Sequence, residues 1–392
     1  MRMMKQKKHL LQMMSTCHCL YDRGLPILLK DVSLLGNIDW PLQTTPALLI
    51  QIRSFTQFIL TNPKVRGPLV RKLRFGPPWS SKHSFRVLPD FARALVELDN
   101  LESLMIEGLE RWLQLEPSLG SFLAALTKLK DVVFWRGDLY RDPEIRLPRI
   151  LETLQSPIQL AEFYVSNGHR QPSNSPFYVL RNFTSTLKHM KVYNATPRDA
   201  SIVYPSLKTL IVIYPRGEMI SVKDLLNSAP NLRSLLLTSA HGDQFDKAYE
   251  RTREENIRAQ RTMSTWSSLE NIDGDVQSLY SLGLRCHVRH VRTTWFLVSP
   301  NAIAFWRAVV QGTEPAAISL SLIVGSHVGV LRTLIPKTVG VSVRQLCVSM
   351  DLVGVENNIT VKMLLVGALY RSFREVLLIT HFKISRQTLV RC

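Results

Sequence analysis

Cysteine is scarce in this chain, and its few copies are poorly placed for cross-linking. Five cysteines stand at positions 17, 19, 286, 347 and 392, an odd number that includes one closely spaced pair. Such a set forms no disulfide framework and is typical of proteins kept in a reducing compartment. We therefore expect a cytoplasmic or nuclear protein.

Long hydrophobic runs are missing as well. The longest nearly uncharged apolar stretch runs from Ala316 to Leu331 and is interrupted by serines and a histidine. It is shorter than the roughly 20 apolar residues that a membrane-spanning helix needs, so we expect no membrane partner. Hydrophobic residues still make up 45% of the 392 positions and charged residues only 20%. This composition excludes global disorder and predicts a large packed core.

The sequence also lacks the motifs of the common catalytic sites. It has no phosphate-binding loop, zinc-protease helix motif, nucleophile elbow or dinucleotide fingerprint. The run Cys17-His18-Cys19 is a poor metal site, because ligands on adjacent residues rarely converge on one ion. We therefore expect a protein that is not an enzyme, with no catalytic, cofactor-binding or metal-binding residues.

Acidic residues are outnumbered by basic ones, 31 to 49, which gives a net charge of +18. From Tyr280 onward there are 13 lysines and arginines against four acids. A nucleic-acid partner for this basic third is one interpretation, and a solvated surface is the other. The third also contains Cys286, His287 and His290, and arginines between them would repel a metal cation. Phosphate contact is the functional interpretation of this cluster, and an exposed strand face is the structural one.

The sequence does contain a recurring short pattern: an apolar residue, two others, a second apolar residue, one other, and a third apolar residue. The mean spacing of its copies is about 27.5 residues, inside the period of roughly 20–29 residues that leucine-rich repeats have. The alternation predicts strands with one buried face. Their predicted centres lie near residues 73, 104, 132, 163, 190, 210, 235, 272, 291, 320, 346 and 376.

Segments with one apolar, helix-like face separate these strands, for example after Pro46, Pro117 and Ser221. The alternation predicts an α/β fold, an irregular leucine-rich-repeat solenoid or horseshoe with a parallel sheet on the concave side and helices on the convex side. One interval is longer and holds a charged stretch at about 239–268. We interpret this stretch as a solvated helix or a flexible insertion.

The N-terminal run reads Ser15-Thr-Cys17-His-Cys-Leu20-Tyr21-x-x-Gly24-x-Pro26-x-Leu28-Leu29-x-x-Val32. Together with the repeats, it resembles the F-box/leucine-rich-repeat proteins of the divergent type found in mushroom-forming fungi. The resemblance implies that residues 1–34 are a remnant of the F-box C-terminal helix with a linker, and that residues 35–392 are the repeat domain. It also implies a non-enzymatic protein-recognition scaffold that serves as a substrate receptor of a ubiquitin ligase.

The chain departs from that family in two ways. The Leu-Pro-x-Glu opening of the F-box is absent, so we expect weak or no binding to the SCF adaptor; a truncated fragment without independent function is a further interpretation. The repeats also lack the Asn that closes each turn, with Leu109 and Ala240 at two of these positions. At the N-terminus we expect a helix over Leu10–Leu20 whose apolar side (Leu10, Met14, Cys17) caps the first repeat.

The residue between the last two apolar positions of each pattern points away from the core in such a strand. Because adjacent strands lie about 4.8 Å apart, these residues predict a continuous row on the concave face. The row is mostly apolar or aromatic, which is typical of a surface that binds a protein ligand or substrate. The alternative is that a loop or the charged insertion covers the row. The predicted protein-binding residues are Val133, Trp135, Tyr164, Lys191, Tyr193, Ile211 and Leu236.

Overall fold

The structure is a computed structural model. It describes His9 and residues 12–35, 46–76, 87–135, 147–164, 175–197, 201–215, 218–239, 247–324 without 264, 268, 295 and 298, then 343–352 and 379–385. The chain divides into two compact units, Met1–His169 with Val179–Leu187, and Arg170–Tyr178 with Lys188–Cys392. The fold is α/β, because helices separate the strands and every strand pairing found in these ranges is parallel.

The first unit contains five strands that pair in chain order from β1 to β5. Two 3-10 turns, Gly67–Leu69 and Arg181–Phe183, also belong to it. Its helices and strands are α1 (His18–Leu29), β1 (Asp31–Leu34), α2 (Pro46–Thr61), α3 (Pro63–Arg66), β2 (Lys72–Phe75), α4 (Leu88–Val96), β3 (Ser103–Glu107), α5 (Leu109–Leu115), α6 (Ser118–Ala125), β4 (Asp131–Trp135), α7 (Leu147–Thr153) and β5 (Leu160–Tyr164).

The second unit contains strands that pair from β6 to β10 in chain order and then continue through β12, β13 and β14, with the short β11 beside β12. The helix α8 (Pro176–Val179) belongs to it apart from its last residue. The other elements are β6 (His189–Tyr193), β7 (Thr209–Tyr214), α9 (Val222–Ser228), β8 (Ser234–Ser239), α10 (Lys247–Thr262), β9 (Asn271–Gly274), α11 (Val276–Leu282), β10 (His290–Thr293), β11 (Phe296–Leu297), α12 (Pro300–Thr313), β12 (Ala317–Val324), β13 (Gln345–Leu352) and β14 (Ile379–Ser385).

Eleven of the twelve predicted strand centres fall inside strands of these two units. The twelfth, near residue 376, lies outside the described residues. The pattern placed Val376 opposite Leu346, but the structure pairs Leu346 with Ile379, three residues later. β1 was assigned to the F-box remnant and linker, although Leu29-x-x-Val32-x-Leu34 fits the strand pattern and the segment pairs with β2.

At eight strand starts within the described residues, one backbone carbonyl accepts two hydrogen bonds from the strand that follows. The Glu102 carbonyl accepts from the N–H groups of Lys130 (2.8 Å) and Asp131 (3.1 Å). Lys208, at the equivalent position in the second unit, accepts from two consecutive N–H groups at 2.9 Å each. Because both N–H groups belong to consecutive residues, this arrangement sets the register of the strand that follows.

Asparagines before two strands add a side-chain connection to the preceding repeat. Asn100 Nδ2 donates to the Pro68 carbonyl at 3.1 Å, and Asn231 Nδ2 donates to the Pro205 carbonyl at 3.0 Å. Both asparagines stand immediately before the first apolar residue of the strand pattern. Both side chains satisfy turn carbonyls, as expected of a repeat asparagine. The position at which the repeat pattern would place that asparagine, Leu109, is instead buried and begins α5.

The core lies between the inward side chains of the strands and the helices. Leu104 and Phe163 are buried in the first unit, and Leu210 and Leu235 are buried in the second, as predicted. In the first unit the core also contains an aromatic cluster with edge-to-face ring contacts. Its members are Phe55, Phe75, Phe91 and Trp112.

Residues 247–262 of the charged stretch at about 239–268 form the helix α10, in agreement with the interpretation of this stretch as a helix. One side of α10 is exposed, and the helix packs against α9 and α11 as a repeat helix would. The buried side of α10 is polar and consists of Tyr249, Thr252, Asn256 and Gln260 at helical spacing. Sequence reasoning missed this face because it searched for apolar stripes.

Asn256 satisfies three backbone groups of the turns next to α10. Its Oδ1 accepts from the Val222 N–H at 2.9 Å, and its Nδ2 donates to the carbonyls of Ile220 (3.0 Å) and Ser281 (2.9 Å). Gln260, one turn later, donates to the Gly283 carbonyl at 3.1 Å in the same way. These bonds let irregular turns be buried without unsatisfied backbone groups.

The prediction of a single helix over Leu10–Leu20 is wrong. Met14 is buried as expected, and Leu10 lies outside the described residues. The helical chain breaks at Thr16, whose hydroxyl donates to a carbonyl three residues earlier at 2.7 Å. Cys17 is extended and exposed, and its Sγ caps the first turn of α1. Short polar side chains compete with helical hydrogen bonds in this way.

Truncating Leu210 to Ala should lower the free energy of unfolding by roughly 2–5 kcal/mol, because a fully buried side chain leaves a cavity. The matched variant Thr209→Ala, at the half-buried neighbour on the same strand, should cost less than about 1 kcal/mol. Chemical denaturation of both variants measures the difference. Equal losses would contradict the assignment of Leu210 to the core.

Replacing Asn256 by Leu should lower the free energy of unfolding by roughly 2–5 kcal/mol, because three buried backbone groups lose their partner. Arg258→Ala on the exposed side of the same helix should change it by no more than about 0.5 kcal/mol. Urea denaturation followed by circular dichroism distinguishes them. A loss for Asn256→Leu as small as that of the control would show that α10 is not an integral repeat helix.

Candidate protein-binding face

The candidate site is the outward face of the strands in the second unit. Along β7, Leu210, Val212 and Tyr214 are buried, whereas Ile211 and Ile213 between them are half-buried on the other side. Because the pairing is parallel, equivalent outward residues of neighbouring strands lie side by side. One outward row therefore runs through Lys191, Ile211, Leu236, Asp273, Arg292, Ser319 and Cys347.

Three of the predicted binding residues, Lys191, Ile211 and Leu236, are consecutive members of this row. Tyr193 lies two residues farther along β6 and opposite Ile213, and the Lys191 ammonium is 5.0 Å from its ring centroid. We call Ile211, Ile213 and Leu236 the apolar patch. All three side chains are half-buried, so the patch presents hydrocarbon to solvent at positions where polar residues are usual.

Ile213 was missed in the sequence because a second outward position was taken only on the strands that carry Trp135 and Tyr193, and not on β7. The signal was present, since the alternation of Leu210 and Val212 continues to the buried Tyr214. A longer alternating run means a longer strand and therefore a second outward row. Extending the pattern by two residues would have placed Ile213 beside Tyr193.

Val133 and Tyr164 do not share a row, so the predicted continuous row is wrong in the first unit. β5 is shifted by two residues from its expected register, and Val133 therefore lies opposite Glu162. The reason is Ala161, a small buried residue that occupies the inward position where the pattern required a larger one. Tyr164 is 39% exposed and lies at the level of Trp135, whose side chain is outside the described residues.

The outward row of the second unit becomes polar beyond Leu236. Asp273 and Arg292, on adjacent strands, form an ion pair. His290 Nε2 lies 2.9 Å from Ser319 Oγ across the next strand pair. Partial burial lowers the pKa of His290, and the nearby Arg292 lowers it further. The imidazole is therefore held in its neutral form near pH 7.

Several charged side chains at the surface of the first unit form ion pairs with one another. Glu102 accepts from Arg71 Nη1 at 2.5 Å and from Lys130 Nζ at 3.3 Å. These hydrogen bonds, led by the one from Arg71, lower the pKa of Glu102. Asp31 and Arg74 form a further pair at 3.2 Å on the neighbouring strands. All of these groups are at the surface, where ion pairs contribute little to stability.

Among the described residues, the side chains around Cys286 form no metal-binding group. Burial raises the pKa of the Cys286 thiol to about 11, so the group is protonated at neutral pH and is a poor metal ligand. His290 is instead engaged with Ser319, and Arg292 with Asp273. Throughout the described ranges, no three His, Cys, Asp or Glu side chains are placed to hold a metal ion.

A buried polar network behind the sheet was not predicted. Asp275 caps α11 and accepts from the backbone N–H groups of Ser278 and Ser239, at 2.8 Å each. The Ser278 hydroxyl also donates to Asp275 at 2.5 Å and contacts the Tyr214 hydroxyl. Burial raises the pKa of both Asp275 and Tyr214. Tyr214 and Ser278 are almost completely buried, so this network stabilises the helix start and is closed to a substrate.

Comparison with known proteins adds no family to this picture. No protein-family model matches the chain, and no curated protein matches it. None of the helices within the described residues has the length and apolar character to cross a bilayer.

The free energy of unfolding should fall as the pH decreases from about 7.5 through the ordinary histidine range near 6.5, partly because of His290. Its pKa is lower in the folded state than in the unfolded chain, so acid favours unfolding. Replacing His290 by Gln should keep a hydrogen-bonding group beside Ser319 and flatten this dependence. Urea titrations of both proteins at pH 7.5 and 5.5 measure it. Identical pH dependence in the two proteins would contradict the burial of His290.

Proposed function

We propose that this protein is a non-enzymatic recognition scaffold that binds a protein partner on the outward face of its second unit. The observation that carries the proposal is the apolar patch, in which Ile211, Ile213 and Leu236 meet on adjacent strands. Aromatic and charged residues, Tyr193 and Lys191, adjoin it. A hydrophobic centre with an amphipathic rim is the usual composition of a protein interface.

We further propose that the fold is an irregular leucine-rich-repeat solenoid of the F-box-associated kind. The support is the strand period of about 27.5 residues, the parallel pairing, and the connections between successive repeats, such as Asn100 to Pro68 and Asn231 to Pro205. In that role the partner would be a substrate presented to a ubiquitin ligase. The chemistry would belong to the ligase, and this chain would supply only binding.

A nucleic-acid partner is the second candidate, and the basic side chains near the strand starts of the second unit favour it. Two carboxylates on the same face weigh against it. Glu270 lies 3.8 Å from Arg233, and Asp273 pairs with Arg292. Carboxylates at these positions would oppose a run of phosphates but suit a protein partner of mixed chemistry.

Replacing Ile211 and Leu236 together by Asp should abolish partner binding, because charge is introduced at the centre of the patch. The two side chains are only half-buried, so the melting temperature should hardly move. Partners are captured on the immobilised protein from an extract of the source organism and quantified by mass spectrometry. Calorimetry of the same samples gives the melting temperature.

The matched control is Val203→Asp, an apolar residue of the second unit that is 46% exposed and lies outside the strands. It should leave both capture and melting temperature unchanged. The proposal fails if the double variant captures the same proteins as the unaltered chain. A large fall in the melting temperature of the double variant would also contradict it, by showing that the patch is part of the core.

A further inference from the structure

Basic side chains lie in a row at the start of the strands in the second unit. Each stands one residue before the first outward residue of its strand. Seven residues hold this position: the carbonyls of six accept one or two backbone hydrogen bonds from the next strand, and Arg344 stands at the matching place before β13. Five of the seven are basic and the side chains are exposed or half-buried. We call them the basic edge: Lys188, Lys208, Arg233, Glu270, Arg289, Ala316 and Arg344.

The equivalent positions of the first unit do not form such an edge. They are Lys30, Arg71, Glu102, Lys130 and Gln159, and Glu102 is bonded to the basic residues on both sides. In the second unit, Glu270 reaches only Arg233, at 3.8 Å. Among the described residues, no carboxylate lies within ion-pair distance of Arg289 or Arg344. The basic edge therefore has five basic residues against one acid, whereas the first unit has three basic residues against one acid that is bonded to two of them.

The basic edge runs parallel to the apolar patch at a fixed distance. Lys208 and Ile211 are three residues apart on one strand, and so are Arg233 and Leu236, which corresponds to about 10 Å. Between them lies a row of hydrogen-bonding side chains that includes Thr209, Ser234, Asn271 and His290. A charged line and a polar line thus lie side by side across the strands, and the apolar patch lies beyond them on β7 and β8 only.

We infer that this face binds an extended acidic protein segment whose apolar residues lie where it crosses β7 and β8; the inference rests on the proposed function and names the chemistry of the partner. Successive side chains of an extended chain point in opposite directions, so acids can reach the basic edge while apolar residues reach the patch. Seven strands at about 4.8 Å spacing span about 29 Å, which is the length of about nine extended residues. Nearby Arg292 and Asp273, already paired, add no net charge.

The test uses a fluorescein-labelled peptide of about nine residues in which Glu stands at every second position, with Leu between the Glu residues at one end and Ser between them at the other. It is titrated with the full chain by fluorescence anisotropy. Saturable binding that weakens as salt is added is expected, because the contacts at the edge are exposed to solvent. The double variant Arg289→Glu/Arg344→Glu should bind about tenfold more weakly. The matched control Arg258→Glu/Arg307→Glu changes the net charge equally on exposed helix residues and should bind as the unaltered chain does.

Three results would overturn the inference, and they separate it from the proposed function. Loss of peptide binding with Ile211→Asp/Leu236→Asp but not with the edge variant would leave the apolar patch as a binding surface and remove the acidic partner. No effect of either variant, or no binding of the peptide, would contradict both. Tighter binding of a single-stranded oligonucleotide of equal charge, lost in the edge variant, would identify a nucleic-acid surface instead.

Discussion

The pairs of backbone hydrogen bonds that single carbonyls accept at eight of the strand starts are the constraint on which the rest of the structure depends. At Glu102 and Lys208 these bonds hold the next strand at a single offset. Parallel ladders are evenly spaced, so an offset fixed at the start persists along the strand. The offset decides which side chains face the helices and which form rows on the other side. A shift of one residue would exchange the core and the binding face.

The helix layer satisfies the irregular turns that such strand starts require. α10 carries many charges, yet it is anchored through Asn256 and Gln260, which bond to the turns around Val222 and Gly283. Burial of these amides is stabilising only because nearly every polar atom finds a partner. The Asp275 and Ser278 network at the start of α11 follows the same rule, and its hydrogen bonds compensate for the burial of a carboxylate.

The same register gives the two units different surfaces. In the first unit, Glu102 pairs with both Arg71 and Lys130, so part of the positive charge at the strand starts is compensated. In the second, one acid accompanies five basic residues, and the outward row beside them is apolar at Ile211 and Leu236. This charge and this hydrocarbon together favour an acidic partner that has apolar residues where it crosses β7 and β8.

The sequence by itself determined the class of fold and the places of most strands. The apolar positions around Leu73, Leu104, Leu210 and Leu235 predicted buried strand faces, because burial of one face requires alternation. The sequence pattern also predicted that Lys191, Ile211 and Leu236 share one row, because they hold the same position in successive strands. These features depend on local periodicity, which the order of residues carries directly.

Only the tertiary structure decided the features that depend on neighbouring elements. Ala161 occupies the buried position opposite Val132, so Val133 lies opposite Glu162 and Tyr164 is outside its row. The polar face of α10 is buried because turns from other repeats need its amides, a requirement that no helical stripe reveals. The basic edge arises because the register aligns residues about 20 to 40 positions apart in the chain, and distance along a sequence does not show which charges will be neighbours.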